Sequence, residues 1–187
     1  NIVGSVVYPA CEIVKPGTIK HIAGNRFSLG EPEGSESDRL KFISDILKKA
    51  GFRAPIQKNI RDEIWLKLIG NLSFNPISAL TGATLEQICN DRGTEAIVKE
   101  MMTEAKTIAE KLGAKINMSI EKRIDGARKV GAHKTSMLQD IEAGKPIEID
   151  SIIVAVKELG ELTNSPTPNI NTILNLTIQK AKLIGCL

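Results

Sequence analysis

The spacing of apolar residues changes period along this chain, and the change divides it. Over the first thirty residues, β-branched side chains alternate or cluster between the turn signals Lys15-Pro16-Gly17 and Gly24-Asn25. This predicts strands near residues 3–8, 11–14, 18–22 and 26–29, arranged as a small antiparallel meander too slight to stand without something packed on it. Glu31-Pro32-Glu33-Gly34 breaks the pattern, and from Ser35 onward the spacing is helical. Ser37 can cap a helix with Leu40, Ile43, Ile46, Leu47 and Ala50 on one face, and Gly51 can close it in a left-handed conformation. Residues 54–57 read as extended. Further helices are predicted over 59–82, around 85–89, over 94–112 (Ala96, Ile97, Met101, Ala105, Ile108 and Leu112 inward), after the cap Ser119, over 136–143 after the cap Thr135, over 147–162, and after the Asn164–Pro168 break. Seven or so helices after a short β segment, without βαβ alternation, predict a mainly α, multi-helix bundle. The division falls at about residue 32, so that 1–32 form one element and 33–187 an all-helical domain.

The helix over 59–82 stands apart. At 3.6 residues per turn Glu63, Lys67, Asn71, Asn75 and Ser78 fall along one line, and most of what lies between them is apolar or small. A helix apolar around most of its circumference belongs inside a protein, where polar groups cost free energy unless each finds a partner. The stripe therefore faces a partner, a cavity or a ligand. Partial burial of Lys67 would lower its pKa toward the range useful for proton transfer, and a nearby carboxylate would raise it again; the plain alternative is a lysine that reaches for solvent. Asn71 and Asn75 carry donors and acceptors suited to a ligand with hydroxyl and carboxylate groups, or to a polar network with a neighbouring helix. Pro76 predicts a kink or break near Asn75.

Composition narrows the classes. The 187 residues are 42% apolar and 25% charged, with acids and bases interspersed and a net charge of +3, too little to imply a nucleic-acid surface. No apolar run approaches the length of a membrane span, and the amino terminus lacks the pattern of a signal peptide. Cys11, Cys89 and Cys186 are odd in number and far apart, which suits a reducing cytoplasm and neither a disulfide framework nor a zinc site. The start at Asn1-Ile2-Val3, with no initiator Met, suggests a portion of a longer protein. No G-x-G-x-x-G and no P-loop occurs in the sequence.

A second polar patch spans residues 135–150, TSMLQDIEAGKPIEID, and gathers Ser136, Gln139, Asp140, Glu148 and Asp150. Read alone, Thr135 or Ser136 is a helix cap and the acids are solvated. His21 and His133 have no partners at metal-ligand spacing, and Ser73, Ser78 and Thr81 lack the turn of a nucleophile elbow. The basic cluster Lys122, Arg123, Arg128, Lys129 and Lys134 reads as a solvated face, or as a contact for an anionic cofactor held by another domain.

Together the run W-x-K-L-x-x-N-x-x-x-N-P at residues 65–76, T-S-M-L-Q-D-I at 135–141 and E-I-D at 148–150 resembles the ketopantoate reductase (2-dehydropantoate 2-reductase) family in residues, order and spacing. The strands ending in L-G-E-P resemble the end of that family's cofactor domain. The chain departs from the pattern at residues 81–84 and at His133. The resemblance implies a bundle like the 6-phosphogluconate dehydrogenase C-terminal domain, preceded by strands left from a Rossmann domain. It implies NADPH-dependent reduction of 2-dehydropantoate to pantoate for pantothenate and coenzyme A, with the NADPH held mostly by the Rossmann domain. Lys67 would be the general acid, Asn71, Asn75 and Ser136 would hold substrate oxygens, and Glu148 would bind the substrate hydroxyl or orient the reacting groups. On that reading the chain is inactive by itself. Its partners would be a small 2-keto acid and, through the apolar helices, a second copy in a homodimer, with no nucleic acid or membrane. The rivals are a non-catalytic helical dimerisation module and a related reductase for a different 2-keto acid.

Overall fold

In a computed structural model that describes residues 2–187, strands β1 (Gly4–Val7), β2 (Ala10–Lys15), β3 (Thr18–Ala23) and β4 (Phe27–Gly30) precede the helices. These are α1 (Asp38–Lys49), α2 (Ile60–Thr81), α3 (Leu85–Asn90), α4 (Arg92–Lys111), α5 (Ile120–Val130), α6 (Ser136–Glu142), α7 (Ala155–Leu162) and α8 (Pro168–Ile184). A π-turn, Asp150–Val154, leads into α7. By contact the chain divides into two compact units, one ending at Ile64 and the other covering Trp65–Leu187, so the division falls inside α2. The helix α1 belongs by contact with the strands.

In the first unit the expected meander is instead one long interrupted ribbon. β1 pairs with β4, from Gly4↔Gly30 to Val7↔Phe27, and β2 pairs with β3 between them in the chain. The physical reason is where the breaks fall. Gly17, at φ +77°, supplies a tight reversal between β2 and β3. The breaks at Tyr8-Pro9 and Gly24-Asn25 lie opposite one another, since Tyr8 N donates to Arg26 O (2.9 Å) and a Cβ on Gly24 would stand 2.6 Å from Tyr8 O. Both arms are thus interrupted together and neither reverses. The extended segment expected before α2 runs parallel to β4, with Phe27 N donating to Arg53 O (2.8 Å) and Leu29 N to Pro55 O (3.0 Å). Leu29, Leu40 and Ala54 bury one another beneath α1, whose first turn is capped by Ser37 as expected.

Two carboxylates lock this unit. Glu31 is 2% exposed and accepts from Ser37 and from both Nε (2.8 Å) and Nη2 (2.5 Å) of Arg39. Those donors, the Arg39 guanidinium first, hold its carboxyl down at about 2. Glu63, in the first turn of α2, accepts from Arg26 Nη2 (2.9 Å), Tyr8 OH (3.1 Å) and Ser28 Oγ (3.2 Å). The start of α2 also sits close to the ribbon: a Cβ on Gly30 would meet Ile60 Cβ at 2.6 Å, so only glycine permits this approach.

The second unit is built around α4, which buries Val98, Met101, Met102, Ala105, Ile108 and Ala109 and packs on α3, α5, α7 and α8. Three helix ends are closed by charged side chains from other helices. Thr167 makes no side-chain cap for α8; Glu104 of α4 accepts from Asn169 N (2.9 Å) and Ile170 N (3.0 Å) in its place. Lys180 of α8 donates to Ala79 O (2.5 Å) and Leu80 O (3.1 Å) at the end of α2. Lys111 donates to Thr163 O (3.0 Å) and Asn164 O (3.1 Å), closing α7. Each places a charge of the favourable sign at a helix end.

Of the kink or break expected near Asn75, a break does not occur: α2 continues through Pro76 to Thr81. Proline removes the bond that would reach Leu72 O, but residues 72–79 are all buried, and packing on every side holds the helix. The helix expected over 147–162 begins later, because Ile147 and Glu148 are not helical and the π-turn intervenes.

Candidate functional site

The polar line on α2 descends into the protein. Glu63, Lys67 and Asn71 are half-buried, whereas Asn75 and Ser78 are buried. The five do not share one role. Glu63 is spent on Tyr8, Arg26 and Ser28, and Ser78 donates to Ala83 O (2.7 Å), closing the turn after α2. Asn75 differs, being 5% exposed with an amide Nδ2 that meets no protein acceptor. An orphaned buried donor costs on the order of 1–3 kcal/mol, so it calls for an acceptor from outside the chain. Ser73, on another face, also has a buried hydroxyl without a partner.

Lys67 sits half-buried, and burial lowers its pKa from the ordinary lysine value, while the Glu148 carboxylate opposes that shift. Sequence spacing alone leaves Lys67 and Glu148 as two separate candidates 81 positions apart; in the fold the charge of Glu148 acts on Lys67. An ammonium whose proton is loosened by desolvation and steadied by a carboxylate can stabilise charge on an oxygen and give it a proton.

Ser136 is the first residue of α6 and is exposed, while Thr135 is the cap, accepting from Leu138 N (3.3 Å). The patch around it is partly structural, as Lys134 pairs with Glu142 (2.6 Å) and Gln139 donates to Lys134 O (2.8 Å). The basic cluster is likewise divided. Arg128 is committed to Cys89 O (2.8 Å), Glu95 (2.8 Å) and Asp125, which ties α5 to α3 and α4.

The sequence offers for Arg123 a solvated face or a contact with an anionic cofactor; in the fold it is half-buried against α2, where a Cβ on Gly70 would stand 2.1 Å from its Nη2. The available signal was Gly70 itself, an isolated glycine in a helical pattern, which marks a close approach. Among the described residues no cluster of His, Cys, Asp and Glu could hold a metal ion. The three cysteines are free. No described helix is long and apolar enough to cross a membrane.

Residues 59–181 match the family described as ketopantoate reductase PanE/ApbA C terminal. A 2-dehydropantoate 2-reductase from Mesorhizobium japonicum is 53% identical over 186 residues, which is 100% of this chain and 57% of that protein. The chain thus spans little more than half the length of this curated relative. A protein assigned as a ketopantoate reductase from Ralstonia solanacearum superposes with a TM-score of 0.94 at 41% identity, covering 99% of this chain and 56% of the other. The 2-dehydropantoate 2-reductase of Methylococcus capsulatus gives 0.89 at 29% identity, covering 97% and 63%.

Proposed function

The chain belongs to the ketopantoate reductase family, and on that footing we propose that it is the substrate-side portion of an NADPH-dependent 2-dehydropantoate 2-reductase. The observation that carries this reading is the pairing, on one face of α2, of a half-buried Lys67 acted on by Glu148 with a buried Asn75 whose amide donor is unused. A small 2-keto acid offers an acceptor for the unused Asn75 amide and a carbonyl oxygen whose charge on reduction an ammonium at Lys67 can stabilise.

Lys67 is the general acid. Its ammonium lies against the carbonyl oxygen, stabilises negative charge as it builds there, and gives up a proton to form the hydroxyl. Burial favours that loss, and Glu148 keeps the proton in place until the charge develops. Asn75 and Asn71 donate to the substrate's oxygens, and the Ser136 hydroxyl adds a contact at the first turn of α6; together they fix a flexible acid in one orientation. Glu148 also accepts from the substrate hydroxyl. No glycine-rich phosphate turn of the kind that cradles a dinucleotide occurs in the sequence. The reducing cofactor is assigned to a part of the protein beyond these residues. Three free thiols and a small polar substrate fit a cytoplasmic reaction.

The test uses protein extended to the length of its curated relatives, assayed with 2-dehydropantoate and a panel of other 2-keto acids. Lys67→Ala lowers kcat/KM by about 100-fold or more, the range for a lost general acid. Asn75→Leu abolishes most turnover while leaving the melting temperature unchanged or higher, because it removes an orphaned donor. If Asn75→Leu instead weakened folding or association and spared turnover, a helical dimerisation module would be the better description. Turnover of another keto acid in preference to 2-dehydropantoate would keep the mechanism and change the substrate.

A further inference from the structure

Glu148 is exposed, yet the backbone that carries it is tied from both directions. Its neighbours Ile147 and Ile149 are 9% and 3% exposed. Ile149 N donates to Ile147 O at 2.9 Å, an i to i+2 bond that closes a three-residue turn with Glu148 at its centre. On the far side the π-turn Asp150–Val154 begins at once, with Ile152 and Ile153 buried. On the near side the amide of Ile147 donates to Cys186 O at 3.0 Å. Glu148, whose charge acts on Lys67, therefore follows directly a residue hydrogen-bonded to the segment after α8.

That segment has a defined geometry of its own. Gly185 is left-handed, at φ +70° and ψ +30°. Its amide donates to Lys182 O, and the amide of Cys186 donates to Ala181 O at 2.9 Å. These are the two bonds of a Schellman turn. Cys186 is 1% exposed and Ala181 is fully buried. With its amide spent on Ala181, Cys186 turns its carbonyl to Ile147. A glycine at the left-handed position is what allows this; a β-branched residue there is strained.

We infer that the Gly185-Cys186 turn is a positioning element that sets the Glu148 carboxylate against Lys67 through the Cys186 O to Ile147 N hydrogen bond. This deepens the reading of Lys67 as general acid and rests on it. The chain of contacts runs from the end of α8, through one backbone bond, to a three-residue turn, and so to the charge that steadies the Lys67 proton. Neither Gly185 nor Cys186 touches substrate in this scheme.

The experiment reads Lys67 directly, without turnover. In the relative-length protein, the pH dependence of Lys67 acylation by acetic anhydride is followed by mass spectrometry of its peptide. Glu148→Gln calibrates the measurement: it leaves burial unopposed, so Lys67 titrates lower than in the parent. Gly185→Val, strained at its left-handed position, shows the greater part of that downward shift. Gly185→Asn, which tolerates the same backbone, titrates as the parent does, and Cys186→Ala, which keeps the carbonyl, moves little. A folded Gly185→Val protein with the parent's Lys67 titration overturns the inference, as does a Glu148→Gln protein that leaves Lys67 unmoved. Should Gly185→Val fail to fold, Gly185→Ala takes its place under the same two outcomes. Because wild-type turnover is measured separately, failure of the reductase reading and failure of this positioning role are told apart.

Discussion

At the scale of single residues, Lys67 ties stability to function with a sign that can be worked out. Its pKa in the fold is lowered from the ordinary 10.5, first by burial, with Glu148 opposing. The folded state therefore holds the ammonium less readily than the unfolded chain does. That cost is fully present below the folded pKa and is relieved as pH rises through it toward the unfolded value. Lys67→Met removes the charge and keeps the stem, so it melts slightly higher than the parent at neutral pH. The gain is well under about 1 kcal/mol, because solvent still reaches a half-buried ammonium. It shrinks as melts are repeated toward pH 10.5; a variant less stable than the parent at neutral pH would mean that Lys67 is a net structural contact. How legible were such roles? The line Glu63–Ser78 was visible from helical spacing alone, but the division of labour along it was not. Glu63 and Ser78 are satisfied by Arg26, Tyr8, Ser28 and the Ala83 carbonyl, partners that local periodicity does not reveal. Spacing alone does not relate Lys67 to Glu148, 81 positions away; the family resemblance puts both at one site, and the fold lets the charge of one act on the other.

At the scale of elements, three helix starts that depend on their own sequence are legible, Ser37, Ser119 and Thr135 each accepting from the amide three residues on, whereas the caps Thr84 of α3 and Asp91 of α4 are not among those expected. Helix ends closed from elsewhere were invisible. Nothing near Pro168 announces that Glu104, more than sixty residues earlier, caps α8, and nothing near Ala79 points to Lys180. The same locality explains two other differences. A turn dipeptide signals that a strand is interrupted but not whether the partner arm is interrupted opposite it, which is why a ribbon was read as a meander. Pro76 carries a local penalty that the burial of residues 72–79 overrides. The reach of a cap from another helix is testable. Glu104→Ala leaves the first amides of α8 without their acceptor and costs about 1–2 kcal/mol in chemical denaturation, as loss of a good cap does. Glu104→Gln keeps one acceptor and loses less. Equal losses for the two would show that charge at the helix end, rather than hydrogen bonding, is what Glu104 supplies.

At the scale of the whole molecule, the helical bundle was legible because it rests on long periodic segments, and the family was legible because Lys67, Asn71, Asn75, Ser136 and Glu148 keep their order and spacing. The contact boundary was not, since the sequence breaks at Glu31–Gly34 whereas the compact units divide within α2. No break in pattern marks that point, because one continuous helix crosses it. The share of its relatives' length that the chain spans bears on what these residues bind. The chain spans 57% of its Mesorhizobium relative, and it contains no glycine-rich turn of the kind that lets a dinucleotide's phosphates approach a helix amino terminus. Its net charge of +3 is dispersed, and within the basic cluster Arg128 and Lys134 are paired with acids. Titrated calorimetrically with NADPH, the 187-residue chain should bind no tighter than about millimolar, near 4 kcal/mol, while protein of the relatives' full length binds in the micromolar range, about 8 kcal/mol. Micromolar binding by the 187 residues alone would overturn the assignment of the cofactor to another part of the protein. It would then return the exposed bases Lys122 and Lys129 on α5 to consideration as phosphate contacts.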